Sequence, residues 1–88
     1  MMVPDEILVK YRQRRQRDLE DCVRHVREGK MNFIEKVGHQ LKGNALTFGY
    51  PELSLIGEEL EAAAKEGRQD QIWSAINKFR MWVHIHLS

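Results

Sequence analysis

His39, Lys42 and Gly43 are the residues of this chain whose types and spacing fit a chemical step. On a helix, positions i+3 and i+4 are surface neighbours of position i, so Lys42 and Gly43 flank the His39 ring. A neutral imidazole presents a ring-nitrogen lone pair and acts as a nucleophile. Imidazole side chains titrate near 6.5, so a water-facing ring is substantially neutral at pH 7. An ammonium one turn along disfavours ring protonation and neutralises a nearby phosphoryl group. Glycine costs about 1 kcal/mol against alanine in a helix interior. At Gly43 the missing side chain clears a space beside His39, through which a partner's backbone can approach. Asn32, Glu35 and Lys36 lie on the same side one and two turns earlier, and Leu46 is an outward apolar residue suited to a docking patch.

The element that must hold these residues is a helix from about Met31 to Phe48. Ile34, Val37, Leu41, Ala45 and Phe48 recur at 3-4-4-3 spacing and fall within one arc of about 80°. His39 lies roughly opposite the middle of that arc, on the wet side. Gly49 and Pro51 end this helix and open the next. A first helix is predicted from about Pro4 to Glu28, with Leu8, Leu19, Cys22 and Val26 as its seam and Arg15 interrupting it. Whether it breaks into a short extra N-terminal helix near Tyr11 is left open by the pattern. A third helix covers about Pro51 to Glu66, with Leu53, Ile56, Leu60 and Ala63 inward and Glu52, Glu58, Glu59 and Glu61 on its solvated side. A fourth runs from Asp70, a reasonable N-cap, to Leu87, with Ile72, Ile76, Phe79, Trp82 or Val83, and His86 facing in. Short turns between amphipathic helices favour antiparallel neighbours. The expected fold is therefore an all-α, up-down-up-down four-helix bundle, one domain over residues 1–88.

The run from His39 to Gly49 resembles the signature of histidine-containing phosphotransfer domains: His, any residue, an apolar residue, Lys, Gly, two small residues, two variable ones, an apolar residue, Gly. His39, Leu41, Lys42, Gly43, Ala45, Phe48 and Gly49 match it. The likeness continues through Tyr50-Pro51-Glu52-Leu53, Gly57 and Leu60 to Gly67, and back to Arg14–Leu19. Asn44 departs from the pattern, where the family usually has serine or another small residue; it needs a hydrogen-bond partner if buried. The resemblance implies a phosphorelay carrier. His39 would accept a phosphoryl group, usually on Nε2, from a receiver aspartate or a sensor histidine kinase and pass it to a receiver aspartate. Lys42 would assist electrostatically, Gly43 would permit docking, and Gln40 would bond across the interface. The magnesium such transfers need belongs to the receiver, so no cofactor is expected in this chain. The residues show no glycine-rich nucleotide loop, which argues against the kinase itself and leaves a carrier rather than a classical enzyme.

Other features carry less. Arg12, Arg14, Arg15 and Arg17 read as a solvated face with pairs such as Arg14 to Asp18, more than as a binding patch. His84 and His86 stand at i, i+2 on different helix faces, and Glu35–His39 lacks a second pair, so no metal site is expected. His25 has no identifiable partner. Trp73, Phe79, Met81 and Trp82 crowd the fourth helix, mostly as core.

The 88 residues contain 14 Lys and Arg against 13 Asp and Glu, a balance with no pull toward nucleic acid or membrane. A lone cysteine excludes an internal disulfide and fits the cytoplasm. No segment approaches the roughly 20 apolar residues of a membrane span, and the start has no signal-peptide pattern. Two rivals to the carrier are a bundle that only sequesters a receiver or kinase, and an unrelated structural bundle. Burial of His39 in the core would favour the last.

Overall fold

The computed structural model describes residues 3–87; Met1, Met2 and Ser88, at the ends of the 1–88 span, lie outside them. Four helices follow in order: α1 Asp5–Arg27, α2 Met31–Thr47, α3 Pro51–Glu66 and α4 Gln69–Leu87. Each packs on its two neighbours around the bundle, α1 on α2 and α4, α3 on α2 and α4. Among the described residues no helix is long and apolar enough to cross a membrane.

The turns are set by glycines. Gly29, Gly49 and Gly67 all take positive φ, of 73°, 86° and 66°. At Gly49 the reversal lets the Tyr50 N–H donate to the Ala45 carbonyl (2.8 Å) and starts α3 directly at Pro51. The stripes expected from the sequence face inward: Ile34, Leu41, Leu53, Leu60, Ile72, Ile76 and Phe79 are fully buried. Each is worth about 1.5–3 kcal/mol in apolar burial. On α4 both Trp82 and Val83 are buried, along with Ala75; Met81 is exposed and Trp73 half-buried.

The structure settles one point the sequence left open and changes two expectations. α1 runs unbroken past Tyr11, because Tyr11 is an anchor of the seam. Its ring stacks on Phe48 (centroids 4.1 Å), and its hydroxyl donates to Asn44 Oδ1 (2.6 Å). That bond supplies the partner that half-buried Asn44 requires. Arg15 belongs to the seam rather than interrupting it: it is buried over the Tyr11 ring (4.5 Å) and its Nε lies 2.8 Å from Asp18 Oδ2. Burial pushes the Asp18 carboxyl above the usual range, with Arg15 and Arg14 pulling it back. Arg12 also turns inward and donates to the Tyr50 hydroxyl (3.0 Å). Of the basic stretch, Arg14 keeps the expected pairing with Asp18 (3.3 Å) and Arg17 remains exposed.

Two smaller corrections follow from helix ends. α4 begins at Gln69, so Asp70 lies in its first turn, where an acid complements the helix dipole instead of capping it. His25 does have partners: it stacks on Phe33 (3.8 Å) and its Nδ1 lies 2.7 Å from the Asp21 carbonyl.

Candidate functional site

The site begins with two glycines that the periodicity left unexplained. α2 and α3 cross at Gly38 and Gly57. A Cβ added at Gly38 would stand 2.5 Å from the Glu61 backbone nitrogen, and one added at Gly57 would stand 2.6 Å from that of Lys42. No side chain fits there, so the two backbones touch. Ser54 tightens the contact, its hydroxyl donating to the Lys42 carbonyl (2.8 Å). The close approach brings a short carboxylate from α3 within reach of residues on the outer face of α2.

That carboxylate is Glu61. Its Oε2 lies 2.8 Å from His39 Nδ1 and its Oε1 lies 3.8 Å from Lys42 Nζ. The His39 side chain is 75% exposed, whereas that of Glu61 is only 13% exposed. A carboxylate can only accept, so in the neutral ring Nδ1 carries the proton and donates it to Glu61. The lone pair is then on Nε2. The contact fixes the tautomer of the neutral ring, and the exposure of the ring leaves the Nε2 lone pair accessible.

Around the ring, Asn32, Glu35, Lys36, Gln40, Glu61 and Lys65 line an open hollow of about 550 Å³, room enough for a phosphoryl group. Lys42 joins the group through Glu61. Gly43 and Leu46 lie further along the same outer ridge of α2: nothing stands within 4 Å of a Cβ built at Gly43, and Leu46 is 61% exposed. His84 and His86 stay apart from this site; His86 stacks on Trp82 (4.3 Å).

A profile of the Hpt domain family matches residues 6–86, nearly the whole chain. The chain belongs to the Hpt domain family. No curated protein and no solved structure is similar enough to count as a match. An Hpt domain is a histidine phosphotransfer module of two-component signalling, and such domains interact with receiver domains and kinases.

In this Hpt domain, reading the sequence as an apolar stripe and a solvated remainder missed Glu61, which it put on the wet side of α3. A signal was present. Ser54, Gly57, Glu61 and Ala64 recur at 3-4-3 spacing beside the apolar stripe. A run of small residues marks where another helix comes close. A charged residue set in that run is held against the neighbouring helix.

Proposed function

We propose that His39 is the phosphoacceptor and that the chain shuttles a phosphoryl group between partners of a phosphorelay. In the forward step the Nε2 lone pair attacks the phosphorus of a receiver's aspartyl phosphate. The N–P bond forms as the P–O bond to the aspartyl carboxylate breaks, and that carboxylate leaves with the electron pair. The ring retains its Nδ1 proton and acquires positive charge, which Glu61 faces at 2.8 Å. Lys42, 3.8 Å from the same carboxylate, is the cation this reading assigns to the phosphoryl oxygens. Transfer onward is the same step reversed on a second receiver aspartate. A sensor histidine kinase is an alternative donor.

The docking surface in this reading is the outer ridge of α2. Gly43 lets the partner's backbone close in, Leu46 gives it an apolar contact, and Gln40, Lys36 and Glu35 are polar contacts at the rim. The lone buried thiol of Cys22 supports placement in the cytoplasm.

The observation that carries the proposal is the Nδ1 contact to a shielded carboxylate on a ring otherwise open to water. The test is labelling from a phosphorylated receiver. Wild-type chain should acquire an acid-labile, base-stable phosphoryl group, and His39→Gln should acquire none while keeping its helical circular dichroism. Labelling retained in His39→Gln sinks the assignment. Tight receiver binding that survives His39→Gln, with no phosphohistidine ever formed, would replace it with a sequestering role.

A further inference from the structure

A second face of the bundle is built for contact. On α3, Glu52, Leu55, Ile56 and Glu59 repeat at i, i+3, i+4 and i+7; on α4, Lys78, Met81, Trp82 and Ile85 do the same. These two edges flank one groove. Ile56 and Trp82 are its buried floor, while Leu55, Met81 and Ile85 stand 61%, 65% and 66% exposed along it. Three large apolar side chains bared side by side on one groove is an interaction feature, in contrast to singly scattered ones.

We infer that this groove takes a second copy of the same chain. The argument is charge. On the groove itself α3 presents Glu52 and Glu59, and α4 presents Lys78. A two-fold axis across the helices would stack α3 on α3 of the second copy, acid on acid. A two-fold axis along the helices sets α3 of each copy on α4 of the other, antiparallel and with heights preserved. The acidic and basic edges of the groove then alternate around a four-helix interface.

The same operation matches the residues level by level. With Glu59 level with Lys78 on the antiparallel helix, Leu55 falls between the levels of Met81 and Ile85, so it meets those two side chains of the second copy. Glu59 already holds Lys78 at 2.9 Å within the chain, so it also lies level with Lys78 of the second copy. The pairing is self-complementary, as an isologous interface must be. Glu61 occupies the opposite flank of α3, against α2, and His39 lies on α2 itself, so on the proposed function both phosphoacceptors stay open. A stable interface takes about 800 Å² from each partner, more than three side chains supply. The dimer is accordingly weak.

Sedimentation equilibrium of the full chain from micromolar to millimolar concentration is the test. The mass should climb from that of one 10.4 kDa chain toward twice that value. Leu55→Lys and Ile85→Glu, both at exposed positions, should each weaken association by roughly tenfold or more with circular dichroism unchanged. Glu59→Lys and Lys78→Glu should each associate poorly alone and recover when mixed, since only the mixed pair restores opposite charges across the axis. A chain that stays monomeric at millimolar concentration overturns the inference. So does a dimer indifferent to Leu55→Lys and Ile85→Glu, or one that mixing does not rescue.

Discussion

Glu61→Gln isolates the electrostatic part of the transfer step. Glutamine keeps the length of the side chain and an oxygen that can accept from His39 Nδ1, but removes the charge. In the proposed step the ring becomes cationic as Nε2 attacks, with a carboxylate oxygen 2.8 Å from Nδ1. Two unit charges about 4 Å apart interact by about 1 kcal/mol in water and about 4 kcal/mol at a protein surface. The ring is 75% exposed, which favours the low end, and only part of the charge has developed at the transition state. A loss of about 1–2 kcal/mol follows, or roughly five- to thirtyfold in rate. Glu61→Ala also removes the bond that orients the ring and fixes its tautomer. A further loss of about 0.5–1.5 kcal/mol is expected there. The assay is rapid-quench transfer from a phosphorylated receiver at saturating chain, so that docking does not limit the rate. Transfer at the wild-type rate in both variants would refute the role given to Glu61.

Other outcomes follow from the same geometry. Gly38→Ala and Gly57→Ala put a Cβ against backbone at 2.5–2.7 Å; each should lower stability in urea by about 1–3 kcal/mol and slow transfer by moving Glu61 off His39. Gly43→Ala meets nothing within 4 Å, so it should raise stability by up to about 1 kcal/mol while weakening receiver docking. Tyr11→Phe keeps the ring stacking but loses the bond to Asn44, a cost of about 0.5–1.5 kcal/mol in the same unfolding experiment. Burial pushes the Cys22 thiol from 9.0 up to about 12. Above pH 9 the unfolded chain releases that proton first, so stability should be level below that point and fall as pH rises toward 12. Thiol reagents should accordingly react with Cys22 at the rate of unfolding.

The fold was legible because its signals were redundant. The α2 stripe, Gly49 and Pro51 all point to one helix end, and Leu53 to Ala63 restart the same period on the next helix. His39 could be set on the wet side from angle alone. What the pattern left open was each contact that depends on two helices together. Arg15 reads as a break in an apolar seam until Tyr11 and Asp18 are seen to enclose it. Gly38 and Gly57 have no explanation in the period of either helix alone; they are one crossing. Glu61 reads as solvated for the same reason: only the closeness of that crossing decides whether a glutamate there reaches water or an imidazole on the facing helix.

The most direct measurement is nitrogen-15 NMR of the histidine side chains before and after phosphorylation. Among His25, His39, His84 and His86, the free chain should show His39 as the Nδ1–H form with a bare Nε2. The phosphorylated chain should show one-bond coupling from phosphorus to His39 Nε2 alone. A free His39 protonated at Nε2, or a phosphoryl group on Nδ1 or on any other histidine, would contradict the account.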